Sequence, residues 1–174
     1  MRVRFTRCPG LPVVDDDTGE PLGAISGILL HPDTGVVEGF FVRTPGLFRG
    51  PDRFLGSVDI LHWGTRITVR HVDVLTGPEE RVRLQPILES GRPVLGQPII
   101  TESGTVLGRC ADVQFDTEHY RLEWLFPRRF LHWGVPVPAS QIVEVRREAI
   151  VVKDPPAAER EGEVNLVPPV PEVA

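Results

Sequence analysis

The chain has 174 residues, of which 41% are hydrophobic, and its formal net charge is −5 at pH 7. This length suits one ordinary domain or two very small ones, and the apolar content is sufficient for a packed core. No apolar run approaches the roughly 20 residues that cross a bilayer, and the amino terminus lacks the apolar stretch of a signal peptide. The composition therefore argues against a helical membrane span and predicts a cytoplasmic protein.

The charge is unevenly distributed along the chain. Residues 1–153 contain 19 acidic and 18 basic side chains, a net −1, whereas residues 154–174 contain five acidic side chains and one arginine, a net −4. Proteins that bind the nucleic-acid backbone need clustered Lys and Arg to neutralise phosphates. We therefore expect no direct binding of nucleic acid.

The amino-terminal part of the sequence predicts short β-strands separated by turns. Val13-Val14 lead into the turn Asp15–Gly19, in which Asp side chains bond the local backbone and Gly accepts a positive φ. The next strand has a period-two pattern that predicts one shared face for Leu22, Ala24, Ser26, Ile28 and Leu30. After the turn His31–Gly35, the chain returns in a second apolar strand.

An internal repeat organises the rest of the chain. Gly104–Gly108 matches Gly19–Gly23 at an offset of 85, and apolar residues then fall on apolar residues through Phe41 and Phe126. The offset changes to 82 and 83 in the last strands of each unit, and loops absorb such differences. Each unit has about 65 residues and about six short strands, and an antiparallel sheet of that size protects its edges by curling into a barrel.

The sequence therefore predicts four segments. Residues 1–75 form a first small barrel and residues 93–153 a second, with a linker at 76–92 and a tail at 154–174. In the linker, Thr76–Gln85 predicts one or two helical turns that end at Pro86. The acidic, Pro-rich tail is predicted to be disordered, because it has little apolar surface to bury.

These residues resemble the PRC-barrel family. The resemblance rests on an apolar strand with an Asp/Gly turn, a Leu-Gly pair, a β-strand, an Asp-x-x-Thr-Gly-like turn and a second apolar strand. They are represented here by Pro12–Asp15, Gly19, Leu22-Gly23, Ile25–His31, Asp33-Thr34-Gly35 and Val36–Val42. The second unit matches more loosely, with His119-Tyr120 in the place of Thr34-Gly35, and the resemblance covers roughly residues 8–153.

The resemblance implies an all-β fold of two tandem antiparallel barrels and a non-enzymatic role. The family includes the cytoplasmic domain of the photosynthetic reaction-centre H subunit, the carboxy-terminal domain of a ribosome maturation factor and many small bacterial proteins. We expect a module that binds a protein partner in the cytoplasm, with no cofactor. Two alternatives are a ribosome-maturation or RNA-metabolism accessory that acts through a ribosomal protein, and an accessory of a photosynthetic or membrane complex. The sequence leaves the oligomeric state open.

Motifs for chemistry are missing from the sequence. Cys8 and Cys110 lack Cys-x-x-Cys spacing, and the histidines lack zinc-ligand spacing. The Asp15–Gly19 turn has Gly fifth and Ser26 twelfth, whereas a calcium loop needs Gly sixth and Glu twelfth. Neither a nucleophile elbow nor a phosphate-binding loop is present. We therefore assign no catalytic, cofactor-binding or metal-binding residue.

One pair of loops stands out as a candidate partner surface. Pro45–Pro51 and its counterpart Pro127–Trp133 combine aromatic and Arg residues, which are enriched in binding hot spots. The candidate residues are Phe48, Arg49, Arg128, Arg129, Phe130 and Trp133. The other interpretation is that Phe48, Phe130 and Trp133 close the barrel ends or pack between the two units.

The tetrapeptide Leu-His-Trp-Gly occurs twice, at residues 61–64 and 131–134. The copies are 70 residues apart, whereas the repeat has offsets of 82 to 85, so they occupy different places in the two units. We therefore interpret the duplication as a coincidence and keep only the second copy, with Trp133, as a possible contact.

Overall fold

The computed structural model describes residues 1–44 and 51–155, and its β-rich architecture confirms the predicted all-β class with two tandem units. The strands in this part of the chain are β1 (Arg2–Arg4), β2 (Pro12–Asp15), β3 (Pro21–Leu30), β4 (Val37–Arg43), β5 (Arg53–Gly56), β6 (Ile60–Trp63), β7 (Ile67–Val69), β8 (Leu75–Thr76), β9 (Pro98–Thr101), β10 (Val106–Asp116), β11 (Arg121–Arg129), β12 (His132–Trp133), β13 (Val137–Pro138), β14 (Ile142–Val145) and β15 (Ile150–Val152).

The strands form two sheets. The first has the order β6-β7-β2-β3-β4-β5-β8, and the second has the order β12-β11-β10-β9-β15-β14, with β13 beside β11 and β1 beside β10. Each sheet contains one parallel pair, β2 with β7 and β9 with β15, where the sequence predicted antiparallel pairing throughout. Side-chain periodicity reports which face a residue occupies and not which strand lies beside it, so it does not reveal this arrangement.

The turn after β2 has the predicted form. The Asp15 carboxylate accepts hydrogen bonds from the backbone N–H groups of Asp17 and Thr18, both at 3.0 Å. Gly19 closes the turn with a φ of +71°, a conformation that glycine adopts without strain. The acidic cluster is therefore a β-turn whose first carboxylate bonds its own backbone.

A β-bulge changes the face predicted for β3. Of the five residues predicted to share one face, only Leu30 is buried, and Ile25, predicted on the opposite face, is buried as well. The register between β3 and β4 shifts between Ile25 and Gly27, and β10 has the same shift between Cys110 and Asp112. A bulge inserts one residue, so the inward positions change parity along the strand. The predicted single face is therefore wrong.

The linker is helical, but Pro86 does not end the helix. Two 3-10 turns, Pro78–Glu80 and Val82–Leu84, precede a short helix α1 (Gln85–Glu89). Pro86 lies in the first turn of α1, where a backbone N–H has no helical partner to lose and the fixed φ of proline suits the helix. The prediction that it terminates the helix was therefore wrong.

The two units are joined across a local two-fold axis. Val36 of the first unit and Arg121 of the second form an antiparallel bridge, and they are equivalent residues at the 85-residue offset. The Val37 N–H donates to the Tyr120 carbonyl at 2.7 Å, and the Leu122 N–H donates to the Gly35 carbonyl at 2.8 Å. Each bond is the equivalent of the other, so the internal repeat forms a self-complementary contact of the kind seen in symmetric dimers.

An aromatic cluster fills the space beside this axis. Trp63 of the first unit lies 5.0 Å from the Phe40 ring and 5.7 Å from the Phe115 ring of the second unit, measured between centroids. Tyr120 adds an edge contact to Trp63 at 6.5 Å. Such tilted ring pairs stabilise beyond their area of burial. Buried residues of both sheets therefore form one continuous core.

The first strand belongs to the second sheet. Arg2–Arg4 were predicted to lie in the first unit, but they pair with Gln114–Asp116 of β10. Asp112, which is fully buried, anchors this arm: its carboxylate accepts from the Arg4 guanidinium at 2.7 Å and from the Thr6 hydroxyl and N–H at 2.7 and 2.9 Å. A buried carboxylate needs such donors, because its desolvation is otherwise costly.

Replacing Asp112 tests this anchor. We expect Asp112→Ala to lower the free energy of unfolding by about 3 kcal/mol, because the arm then loses its acceptor while the Arg4 charge stays partly buried. Urea unfolding followed by circular dichroism measures the change. Asp17→Ala is the matched control, since the Asp17 side chain is exposed, and it is expected to leave stability nearly unchanged. Equal stability of the two variants would contradict the anchoring role.

Candidate interaction surface

The outer face of β11 exposes aromatic and cationic side chains. Leu125 and Pro127 point into the core, so Trp124, Phe126 and Arg128 alternate with them on the outside. Trp124 is 37% exposed, and Arg128 is exposed beside its cross-strand partner Trp133. An outer face of this kind is unusual for a small sheet, in which solvent-facing positions are mostly polar.

Two apolar residues form the tip of the hairpin between β11 and β12. Arg129 pairs with His132, so Phe130 and Leu131 are the two turn residues, and they are 91% and 68% exposed. Phe130 has a φ of +51°, which a bulky side chain adopts at a cost on the order of 1–3 kcal/mol. Such a conformation is uncommon for a bulky side chain that solvent surrounds.

Cation–π contacts order the base of the hairpin. The Arg4 guanidinium carbon lies 3.9 Å from the centroid of the Phe126 ring and 5.2 Å from that of Trp133. The guanidinium of Arg128 lies 5.5 Å from Trp133 on the same surface. Because Arg4 is also bound to Asp112, the arm that β1 begins helps to hold the Trp133 ring in place.

The cations beside the tip have no acidic partner among the described residues. Within residues 1–44 and 51–155, no carboxylate lies within 4.0 Å of the Arg128 or Arg129 guanidinium. We use the name hairpin surface for this region, whose members are Trp124, Arg128, Arg129, Phe130, Leu131 and Trp133. It combines exposed rings with unpaired positive charge, the composition of many hot spots.

The structure brings four of the six predicted contact residues together. Arg128, Arg129, Phe130 and Trp133 all lie on the hairpin surface, whereas Phe48 and Arg49 lie outside the described residues. The segment from Pro127 to Trp133, predicted as a loop, is a tight hairpin. The alternative interpretation has Phe48, Phe130 and Trp133 close the barrel ends or pack between the two units. Phe130 and Trp133 are 91% and 53% exposed, which argues against it for these two residues, and Phe48 lies outside the described residues.

Sequence reasoning missed two members of the hairpin surface. Trp124 aligns with Gly39 in the repeat, where it was counted only as an apolar match. Its alternation with the buried Leu125 places it on the outer face of the sheet. Leu131 lies within the predicted loop but is not among the predicted contacts. Both can be identified when the period-two alternation of the strand is extended through the turn. This alternation predicts which apolar residues lie on the solvent side of the sheet.

The two cysteines are buried packing residues. Cys8 is fully buried beneath the arm, and its thiol lies 3.6 Å from the Arg4 carbonyl oxygen. Burial, with a smaller contribution from the Asp112 charge, raises the pKa of both the Cys8 and the Cys110 thiol to about 12. Thiols that keep their protons are poor nucleophiles, so neither is placed for covalent catalysis.

One turn gathers possible metal ligands. Asp116, Glu118 and His119 bring carboxylate oxygens and a ring nitrogen within 4.8 Å of one another. The Asp116 carboxylate already accepts from the His119 ring at 2.7 Å and from the N–H groups of Glu118 and His119, and these bonds hold its pKa well below the ordinary range. The arrangement is that of a turn bonded by its own Asp side chain.

No helix among the described residues is long and apolar enough to cross a bilayer.

Relaxing the hairpin tip gives a stability test. We expect Phe130→Gly to raise the free energy of unfolding by up to about 1 kcal/mol, because glycine accepts the positive φ without a Cβ clash. Leu131→Gly is the control: Leu131 has no positive φ, so glycine there only adds freedom to the unfolded chain and is expected to destabilise. Thermal unfolding of both variants checks the opposite signs.

Cysteine burial gives a chemical test. Both thiols are expected to resist iodoacetamide at mildly alkaline pH in the folded protein and to react fully in urea, as intact mass measures. Unfolded thiols have an ordinary pKa of 9.0, so they lose protons that the folded state retains. The contribution of these thiols to stability is therefore complete below about pH 9 and decreases as the pH rises towards 12. Rapid alkylation of the native protein would contradict this burial.

Comparison with known proteins identifies the first unit. The family model for the PRC-barrel domain matches residues 3–75, which extend from β1 to β8. No curated protein matches the chain. The matched region includes the turn at Asp15, the β3–β4 hairpin and the turn that carries Gly35 on the local two-fold axis. Residues 3–75 are therefore similar to the PRC-barrel domain.

Proposed function

We propose that the protein consists of two tandem PRC-barrel domains, with residues 93–153 as the second. The internal two-fold supports this proposal, because the cross-axis hydrogen bonds join equivalent residues of the two units. Equivalent bulges in β3 and β10 and equivalent parallel pairs add to it. The family model matches the first unit, and the internal repeat relates the second unit to the first.

We further propose a non-enzymatic interaction module in the cytoplasm, in which the hairpin surface binds a protein partner. A PRC-barrel domain suggests such a module, and the observation that carries the proposal is the tip. Phe130 and Leu131 are exposed on a backbone that is strained at Phe130, beside two cations that no described carboxylate pairs with. A fold retains such a costly arrangement most readily when a partner covers it.

The remaining chemistry of the chain fits this role. The buried carboxylate of Asp112 is saturated by donors from the arm, and the shifted pKa of Asp116 arises within a turn. Both thiols are buried and protonated at neutral pH. Free cysteines are typical of a reducing compartment, which supports the cytoplasm.

Partner capture tests the proposal. We expect a variant with Arg128→Ala, Arg129→Ala and Trp133→Ala to lose most of the proteins that co-purify with the tagged wild type from its native cell. Removal of ring and guanidinium anchors typically weakens binding by about 2 kcal/mol or more, roughly 30-fold or more. Quantitative mass spectrometry of the captured proteins measures the loss.

The matched control changes exposed residues of the same types on the first unit. A variant with Leu61→Ala, Arg66→Ala and Arg70→Ala also removes one apolar and two cationic side chains, and it is expected to retain the partners. Both variants need unfolding midpoints close to the wild type. An unchanged set of partners in the hairpin variant would refute the assignment of this surface.

A further inference from the structure

The linker covers the outer face of the first unit. The Arg81 guanidinium carbon lies 5.6 Å from the Phe54 ring centroid, and Phe54 in turn makes an edge contact with Phe41 on the outer face of β4. Farther along, Ile87 and Leu88 line a groove of about 290 Å³ together with Phe41. Leu84, between these contacts in sequence, is buried. The segment after the first unit therefore shields its outer aromatic face.

The second unit has no such cover among the described residues. Its equivalent outer face presents Trp124 in the place of Gly39 and Phe126 in the place of Phe41. Trp124 is 37% exposed, whereas Gly39 is buried. The acidic tail comes after the second unit in sequence, and its residues 156–174 lie outside the described part of the chain.

The tail repeats the pattern of the linker. Val82-Arg83-Leu84-Gln85-Pro86 and Val164-Asn165-Leu166-Val167-Pro168 share Val, Leu and Pro at an offset of 82. The same offset relates the strands that flank the outer faces, because Gly39 pairs with Gly56 and its equivalent Trp124 pairs with Pro138. The tail therefore carries the linker pattern in the register of the repeat.

We propose that the tail docks on the outer face of β11, with Val164–Pro168 in the place that Val82–Pro86 take on the first unit. Leu166 then corresponds to the buried Leu84, and Trp124 and Trp133 lie beneath the tail. The part of the hairpin surface formed by Trp124 and Trp133 is therefore occupied by a segment of the same chain. Phe130 and Leu131 at the tip stay outside it.

The first polar difference between the linker and the tail, at the position of Arg81, is compatible with this docking. Arg81 binds the Asp59 carboxylate at 2.8 Å in the first unit. At the offset of 82, the tail has Glu163 in the place of Arg81, and the second unit has Gln141 in the place of Asp59. The acid of the tail therefore meets a neutral amide and not another carboxylate, which would repel it.

The second exchange depends on the arm. Arg83 of the linker binds Glu38 at 3.2 Å, and the equivalents are Asn165 in the tail and Glu123 in the second unit. Glu123 already has a cation, because Arg2 of β1 lies 2.9 Å from it. A second cation is not required there, so the neutral Asn165 suits the position.

A third difference provides a counter-charge for the tail. In the first unit, Arg43 lies 3.6 Å from the Asp52 carboxylate. Its equivalent Arg128 has Gly134 in the place of Asp52, and no described carboxylate pairs with it. The acids Glu161 and Glu163 of the tail therefore have a cation that the second unit leaves unpaired.

The tail begins within reach of this face. The Asp154 carboxylate accepts from the Ser103 hydroxyl at 2.6 Å, in the turn before β10. Gly108, a few residues farther along, packs against the backbone of Arg128, so this end of β10 adjoins the hairpin. The nine residue-to-residue steps from Pro155 to Val164 span up to about 30 Å when extended, which is sufficient to reach β11.

Docking of the tail regulates partner binding, because the tail and the partner use the same surface. This regulatory role rests on the proposed function. A partner that needs Trp133 and Arg128 must displace the tail. A tethered segment competes at a high effective concentration, so even a weak contact is effective.

A spin label on the tail tests docking without any partner. Because Cys8 and Cys110 are buried, Gly162→Cys gives one reactive thiol for a nitroxide on the full chain. The three tryptophans give three indole N–H cross-peaks in a nitrogen-proton correlation spectrum. We expect those of Trp124 and Trp133 to lose more intensity than that of Trp63, and reduction of the nitroxide to restore them. Equal loss, or no loss, at the three peaks overturns the proposal.

Two controls assign the contact. Leu166→Asp in the labelled chain is expected to abolish the selective loss, whereas Val173→Asp, outside the repeated pattern, is expected to retain it. Persistence of the loss with Leu166→Asp overturns the register. A mixture of labelled chains without nitrogen-15 and unlabelled chains with it is expected to show no loss, and loss in the mixture would mean docking on a second copy.

The result is distinguishable from that of the capture experiment. If the tail does not dock, the spectra show no selective loss at Trp124 and Trp133, while partner capture still depends on Trp133. If the proposed function fails instead, the selective loss at Trp124 and Trp133 remains although no captured protein depends on the hairpin.

Discussion

Two backbone hydrogen bonds across the local two-fold axis are the contact on which the rest of the structure depends. Their acceptors are the carbonyls of Gly35 and Tyr120, equivalent residues that both have positive φ, +67° and +51°. Glycine accepts this conformation freely, whereas tyrosine does so at a cost. The Tyr120 ring offsets that cost through its contact with Trp63. The strained turn thus joins the backbone contact to the aromatic cluster.

The backbone hydrogen bonds at the axis are symmetric, whereas the outer faces of the two units differ, for a physical reason. At the axis the contact is made by backbone groups, so it is kept although Tyr120 stands in the place of Gly35. On the outer faces each unit meets a different segment of chain, and the residues differ accordingly. Gly39 admits the Phe54 ring beneath the linker, because a Cβ at Gly39 would lie 2.6 Å from that ring, whereas the second unit has Trp124 and Pro136 at the equivalent positions. One face is thereby covered by its linker, whereas Trp124 of the other is exposed among the described residues.

The repeat, the Asp15 turn and the all-β class were predictable because each leaves a local pattern. The strand that pairs with β1 was not predictable, since Arg2–Arg4 have the same alternation whichever sheet edge they join. The bulge at Ile25 was not predictable either, because one inserted residue in a strand looks the same in sequence as an irregularity in the period-two alternation. For the hairpin surface, residue type indicated Arg128 and Trp133, but sequence alone did not separate exposure from packing between the units. Only the fold shows that Phe130 has no interior to enter.

The pairing of β1 with β10 has a consequence for the order in which the protein folds. The contact between Arg4 and Asp112 spans 108 residues, so the arm has no partner until most of the chain has been synthesised. At about 5 to 20 residues per second, the nascent arm waits for several seconds beside a nearly complete first sheet. The family match begins in this strand, so the unit that sequence comparison delimits is smaller than the unit that folds. The first residues of the chain therefore pair only after β10 has been made, and they join a sheet built otherwise from the second half of the chain.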